Sequence, residues 1–369
     1  MKFCCENVIL SGAVAAAARA VPAKTTIEAL KSLRMQVEGG ILTVTGYDLT
    51  IGIQSSVEVD GSEDGVCLVD AKLFQSITAR MPDDVVIFEA TSSQMTITSG
   101  PTAFTLAAFS AEEYPELPSV EPEHSAEMTQ ADLRSMIQAT FFAVSQDLTK
   151  ITSCGSDFEI AGGELTVVAC DGFRLAVRSG KVSCAEDDFS CIVPRSTLKI
   201  LSTTCADTGD PARIEVSQKH IAFLLGDLRI ISRRIEGMYF DWKKTIPLVD
   251  GARIAVETPM LAEAVERVSA VVSDKVKVPL RLNFMERALH ISASSSIGSA
   301  SDSCSIPGCK TELEIGFNGR YLLDALRAVD GPSELQVIAP GSPVILRPAS
   351  AQQPSFLYMI LPVRLRAQL

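Results

Sequence analysis

Residues of the types that do chemistry are few in this chain, and their spacing does not suit it. Histidine, the usual proton shuttle near neutral pH, occurs only at His124, His220 and His290. None stands in H-E-x-x-H spacing and no G-x-S-x-G supplies a nucleophile, so a hydrolytic triad would have to assemble without any local signature. Lys24-Thr25 lies downstream of Gly12, but a phosphate loop of the form G-x-x-x-x-G-K-[ST] needs a glycine where Ala23 stands, and the spacing fails as well. No G-x-G-x-x-G occurs. Clustered acids at Asp83-Asp84, Glu112-Glu113 and Glu186-Asp187-Asp188 all fall in turn-like stretches, where carboxylates are solvated rather than held for acid-base work. The 10 cysteines include no C-x-x-C pair; Cys4 and Cys5 are adjacent, and Cys304 and Cys309 lie five apart. That usage suits small apolar fillers in a reducing cytoplasm better than a disulfide framework or a metal site. The expectation is therefore a protein with no catalysis, no metal and no cofactor. The competing reading, a multidomain α+β enzyme, would require Asp171 or Arg174 to be essential for turnover.

The elements that would position any site follow from length and periodicity. A chain of 369 residues, 47% hydrophobic and 21% charged, can bury substantial cores and predicts two or three domains. Mean hydropathy is +0.23. Arg19 and Pro22 nevertheless interrupt the most apolar stretch, well short of the roughly 18 uncharged residues that a spanning helix needs. Lys2, the apolar run from Val8 to Ala18 and an Ala-Arg-Ala step resemble a secretory leader, but Glu6 and Asn7 oppose that, and an internal repeat opposes it harder. Leu10, Ala13, Val14 and Val21 recur as Leu133, Met136, Ile137 and Val144, and again as Leu261, Ala264, Val265 and Val272. Offsets of 3, 4 and 11 mark one helical face, so the first copy reads as a structural helix.

A second helix repeats over Asp70 to Arg80, Pro194 to Thr204 and Asn318 to Ala328, each opening on a residue suited to a first turn. Alternating Val, Ile and Thr at Ile41 to Thr45, Glu164 to Val168 and Ala288 to Ser292 predict strands. Further strands are expected after each second helix. They fall at Val85 to Glu89, Met95 to Thr98 and Ala103 to Leu106 in the first copy, at Arg213 to Val216, His220 to Leu225 and Arg229 to Arg233 in the second, and at Leu335 to Ile338, Val344 to Leu346 and Phe356 to Ile360 in the third. The predicted fold is α+β, three tandem domains of one topology over residues 1–123, 124–250 and 251–369, each with two helices and antiparallel sheet.

Charge is distributed unevenly over these elements. The overall net charge is −12, which rules out bulk attraction to nucleic acid or anionic lipid. The six helical segments together sum to +5, leaving −17 on strands and loops. A mildly basic helical face on an acidic body is the distribution expected for nonspecific contact with a polyanion passing that face.

Beside this architecture stand four short motifs: Val168-Ala169-Cys170-Asp171-Gly172-Phe173-Arg174-Leu175-Ala176, Ile192-Val193-Pro194-Arg195, Glu314-Ile315-Gly316-Phe317-Asn318 and Leu361-Pro362-Val363-Arg364-Leu365. Their order and spacing resemble the bacterial DNA sliding clamp, the beta subunit of DNA polymerase III, over the whole chain. That resemblance implies a DNA-clamp fold closing as a head-to-tail homodimer into a six-domain ring around duplex DNA. It implies a processivity factor without catalysis, acting in the cytoplasm with no membrane attachment. The implied partners are a clamp loader, replicative and repair polymerases and other proteins carrying clamp-binding peptide motifs.

It further implies a peptide pocket at Cys170, Gly172, Phe173, Arg174, Leu175, Phe240, Thr245, Pro343, Met359, Leu361, Pro362, Val363 and Arg364. The apolar members would hold anchor side chains, and the two arginines would meet peptide carbonyls or carboxylates. Implied DNA contacts are Lys24, Lys72, Gln146, Arg195, Lys199 and Lys244, with Lys150 an added candidate, since long cations reach phosphates without reading bases. Ring closure would pair Phe104 and Leu106 with Val271 and Val272. Departures are Phe173 where the family has His, Phe240 where it has Pro, Thr149-Lys150-Ile151-Thr152-Ser153 in place of R-Y-x-L-N, and the extension Arg366 to Leu369. They leave room for a divergent paralogue with altered partner preference.

Overall fold

The computed structural model describes residues 1–82, 84–184, 188–272, 278–307, 309–350 and 355–365, with Ser62 described by its backbone alone. Asp83, Glu186, Asp187, the charges at Asp274, Lys275 and Lys277, and the extension Arg366 to Leu369 lie outside the described residues.

Six α-helices occur among them, two per repeat: α1 (Asn7–Ala18), α2 (Ala71–Thr78), α3 (Gln130–Phe141), α4 (Arg195–Thr204), α5 (Thr258–Ser269) and α6 (Gly319–Arg327). The stripe Leu10, Ala13 and Val14 is buried in α1, as are Leu133, Met136 and Ile137 in α3 and Leu261, Ala264 and Val265 in α5. The fourth member of each stripe corrects the expected helix length. Val21, Val144 and Val272 all lie past the helix end, and each donates its backbone N–H to the carbonyl three residues back, on Ala18, Phe141 and Ser269. These i→i+3 bonds tighten the exit of the chain into a 3₁₀-like turn, so the offset of 11 marks a conserved exit geometry within the repeat and not another helical turn. Asp70 caps α2 by accepting from the Leu73 N–H at 2.8 Å, and Asn318 caps α6 by accepting from Arg320 and Tyr321.

Each first helix is entered from a strand that periodicity alone had not marked: Lys2–Glu6, His124–Thr129 and Ala252–Glu257. All are short and carry charges on their outward positions, which hides the alternation.

The chain forms two compact units. The first holds Met1–Leu133 and Thr203–Arg234 with a short piece at Cys184; the second holds Arg134–Ser183, Asp187–Ser202 and Ile235–Leu369. In the first, a nine-stranded sheet runs continuously from the first repeat into the second, because Ile51–Glu58 pairs antiparallel with Leu228–Arg233. In the second, an eight-stranded sheet runs from the second repeat into the third, where Arg174–Lys181 pairs with Phe356–Ile360. The central repeat thus contributes strands to both units. The first unit also contains a five-stranded sheet, ordered Asp60–Glu63, Lys2–Glu6, Val85–Ala90, Gln94–Ser99, Thr102–Ala107, whose core stacks Phe3 on Phe88 at 4.7 Å. The second contains a four-stranded sheet, ordered Gly298–Ser305, Ala288–Ser295, Leu280–Met285, Leu313–Phe317.

Candidate peptide cleft and cationic positions

The motif from Val168 to Ala176 is a hairpin between Glu164–Cys170 and Arg174–Lys181. Asp171 shapes its turn by accepting from the Phe173 and Arg174 N–H groups at 2.9 and 3.0 Å. Gly172 sits at φ +90, a left-handed conformation that only glycine adopts without strain. The turn throws Phe173 outward, leaving it 57% exposed, and its carbonyl accepts from the Leu361 N–H at 2.9 Å. Two residues on, the Val363 N–H donates to the Gly316 carbonyl at 2.7 Å. A Cβ on Gly316 would stand 2.6 Å from the Val363 oxygen, which accounts for the glycine in that motif. The hairpin turn and the C-terminal strand end are thereby held together, and they present Phe173, Leu361 and Val363 as exposed apolar side chains.

Further along the same two strands lies an apolar cluster. Leu175 is paired opposite Met359, and both are buried in a cluster with Val168, Val177, Ile345 and Leu357. The segment following Met238 covers that cluster with Tyr239, Trp242 and Ile246, and Phe240 stands half-exposed with its ring 5.1 Å from that of Tyr239. Trp242 is fixed by donating its indole N–H to Glu159 at 2.6 Å, and the Thr245 hydroxyl donates back to the Trp242 carbonyl. Burial holds the Tyr239 phenol well above its ordinary range and raises the Cys170 thiol, so neither group ionises near neutral pH. Pro343 and Pro362 are half-buried, and Arg364 is exposed.

The structure shows the surroundings of three of the expected site residues. Leu175 and Met359 lie opposite each other and are buried in that cluster. The Arg174 guanidinium is buried and already committed. Its Nε donates to Asp171 at 2.9 Å, one terminal nitrogen to Asp324 on α6 at 2.7 Å and the other to the Phe142 carbonyl at 2.5 Å, while the group lies 4.4 Å from the Tyr321 ring centroid. It is a three-way staple joining the hairpin turn, α6 and the exit from α3. Tyr321, which stacks on Phe173 at 5.9 Å, and Trp242 were missed in the sequence. Trp242 carried a faint signal, in the aromatic run Tyr239-Phe240-x-Trp242.

The cationic positions divide by what they touch. Lys24, Lys72, Gln146 and Lys199 are exposed, and Lys24 and Lys72 belong to the first unit. Lys244 is exposed and paired with Asp241 at 2.8 Å. Arg195 turns inward, donating to the Val144 carbonyl at 2.9 Å and lying over the Phe141 ring at 4.3 Å. Its pKa is lowered by that burial and by neighbouring Arg174. Lys150 places its ammonium 3.6 Å from where a Cβ on Gly172 would be, so it borders the hairpin turn of the cleft. Arg19, on the basic face, donates to the hydroxyls of Thr203 and Thr204 at the end of α4.

Of the positions expected to carry dimer contacts, Phe104 and Leu106 lie on a sheet edge, whereas Val271 and Val272 follow α5 beside Gly298, the start of another edge strand. Thr102–Ala107 is an edge of the five-stranded sheet and Gly298–Ser305 an edge of the four-stranded one. Phe104 and Leu106, however, pack against the first unit's own core. The edge strand offers its backbone and its outward Ala103, Thr105 and Ala107 instead. Val271 and Val272 are half-buried just past α5, where the Ser295 hydroxyl donates to the Val271 carbonyl at 2.8 Å. No group of three or more His, Cys, Asp or Glu side chains is gathered as a metal ligand set among the described residues.

Three family models match the chain in succession: the DNA polymerase III beta subunit N-terminal domain over residues 1–118, the central domain over 127–241 and the C-terminal domain over 243–364. The beta sliding clamp of Streptomyces coelicolor is 30% identical over 382 residues, covering 99% of this chain and 100% of that protein. The beta sliding clamp of Synechococcus elongatus is 29% identical over 379 residues, with 100% of each chain covered. Among solved structures, the Pseudomonas aeruginosa sliding clamp bound to griselimycin superimposes with a TM-score of 0.93 at 25% identity, covering 99% of this chain and 100% of that one.

Proposed function

This chain belongs to the DNA polymerase III beta subunit family, the DNA sliding clamps, which are processivity factors and not catalysts, and from that premise we propose how this member works. Its clamp domains divide at 123/124 and 250/251. Two copies close head to tail around duplex DNA in the cytoplasm after opening by a clamp loader. Replicative and repair polymerases and other partners dock through a short linear motif at the cleft beside the hairpin turn. The observation that supports this reading most is that exposed Phe173, Leu361 and Val363 sit on a hairpin turn and a strand end that are hydrogen-bonded to each other, because isolated apolar residues are common on surfaces whereas several beside a rigid turn suit anchor side chains.

The experiment is calorimetry with a motif peptide bearing a Gln and spaced Leu or Phe anchors. Wild type is expected to bind in the micromolar range, about 8 kcal/mol. Leu361→Ala combined with Val363→Ala is expected to weaken that by more than about tenfold with the fold intact, since both side chains are exposed. Leu175→Ala is the wrong probe: it opens a core cavity that costs about 2–5 kcal/mol in its own right. Unchanged peptide affinity in the folded double variant would place the partner site elsewhere. Griselimycin is expected to compete with the peptide.

A second reading, a paralogue with altered preference, rests on the ammonium of Lys150 beside Gly172 and the aromatic bulk of Phe173 and Phe240. It predicts a narrower pocket that favours peptides with an acidic residue next to the anchors, a preference lost in Lys150→Ala.

DNA contact in this scheme is sequence-independent, salt-sensitive and weak, with topology and not contact energy holding the clamp in place. Protein loaded on a nicked circle should leave once the circle is linearised with free ends; retention there would contradict encirclement.

A further inference from the structure

The first unit contains a cavity of about 480 Å³ between its nine-stranded sheet and the segment Ala111 to Ser119. Its floor is a single transverse row read directly from the register: Arg34 opposite Thr45, Thr45 opposite Gln54, and Gln54 opposite Arg229. Residues paired this way project to one face of the sheet, and all four line the cavity. Three strand spacings separate the two arginines, about 14 Å between backbones.

The internal repeat supplies a control for what such a row ordinarily does. Each of the first three positions has a counterpart one repeat later, and the equivalent row in the second unit is Asp157, Val168, Val177 and Leu357. There the middle of the row is apolar and is covered by Tyr239, Trp242 and Ile246 from the following segment. In the first unit the row is polar, bounded by a guanidinium at each end. The Nε of Arg229 and the hydroxyl oxygen of Thr45 are shielded from solvent and have no hydrogen-bond partner among the described residues. Thr45 is 1% exposed and Arg34, Gln54 and Arg229 are half-buried, so the middle of this polar floor is enclosed. Leaving buried donors and acceptors unpaired costs about 1–3 kcal/mol each, which structural packing alone gives no reason to tolerate.

The geometry points to a binding site for a small, extended anion with an oxyanion group, carboxylate or phosphate, at each end. The two guanidiniums would each take one end as a forked pair of hydrogen bonds, the Thr45 hydroxyl and Gln54 amide would meet polar atoms along its middle, and Tyr114 and Leu117 would cover it. The volume falls in the range of small-molecule sites. Glu112 and Glu116, exposed on the covering segment, also line the cavity and oppose an anion there, so they set an upper limit on affinity.

The test is isothermal titration of the full-length chain with the seven-carbon dicarboxylate pimelate, with inorganic tripolyphosphate, and with acetate as a single-ended control. At least one two-ended anion is expected to bind at submillimolar concentration and acetate at least about tenfold more weakly; which of the two wins assigns the end group. Arg34→Gln and Arg229→Gln are each expected to weaken the preferred anion about tenfold or more. Because either could disturb the sheet, the exposed pair Glu112→Gln with Glu116→Gln supplies the opposite sign: binding should tighten by roughly threefold. Absence of binding at millimolar concentration, acetate matching the two-ended anions, or affinities indifferent to both the arginine and the glutamate changes would overturn the proposal. The cleft peptide is expected to bind equally well with or without the anion, so failure here and failure of the clamp reading are separable.

Discussion

Arg174→Ala is expected to lower the stability of the second unit by about 3 kcal/mol. The guanidinium is buried and is shared by Asp171, Asp324 and the Phe142 carbonyl, so its removal strands two carboxylates and a carbonyl in a partly enclosed site and withdraws a cation from the Tyr321 face. Trp242, the single tryptophan, lies in the same unit and reports the transition in urea through its fluorescence. Arg174→Lys should recover only a small part of the loss, because one ammonium cannot satisfy three partners arranged around a planar fork. Peptide affinity measured on the folded fraction should fall as well, because the turn that projects Phe173 is fixed by the same side chain. A urea midpoint indistinguishable from wild type would refute the staple.

A native mass of twice 39.5 kDa at micromolar concentration is the second expected result, with Val272→Asp shifting the protein to monomer while its thermal midpoint stays close to wild type. Val272 is only half-buried just past α5, so a charge there is tolerated in the monomer and becomes costly when a second copy covers it. Leu106→Asp should behave differently. That side chain packs against the first unit's own core, so a charge there unfolds the unit instead of cleanly opening a ring. The two edge strands, Thr102–Ala107 and Gly298–Ser305, supply the physical motive, since each leaves a row of backbone groups without a strand partner within its own sheet. A wild-type mass of 39.5 kDa under the same conditions would remove the dimer from the proposed mechanism.

The period of the repeat, the helices with their buried stripes and the strands following each second helix were all readable from residue order. Each rests on local rules: Leu10, Ala13 and Val14 lie on one face because of helical spacing, and Asp70 or Asn318 opens a helix because its side chain can accept from the first-turn N–H groups. The motifs around Asp171, Gly316 and Leu361 pointed to the family and to the neighbourhood of the cleft for the same reason, since their turn and strand geometry is local.

What each site residue does was decided by pairing between distant segments. The pairing of Leu175 with Met359 buries both in one cluster, and Arg174 becomes a staple only because Asp324, 150 residues on, meets its free nitrogen. Val21, Val144 and Val272 fit a helical period yet leave the helix, since the exit turn satisfies backbone bonds that the period does not encode. The row of Arg34, Thr45, Gln54 and Arg229 cannot be seen in sequence at all: its last member comes from the following repeat, and strand register across a sheet is set by burial of whole faces rather than by any neighbouring residue.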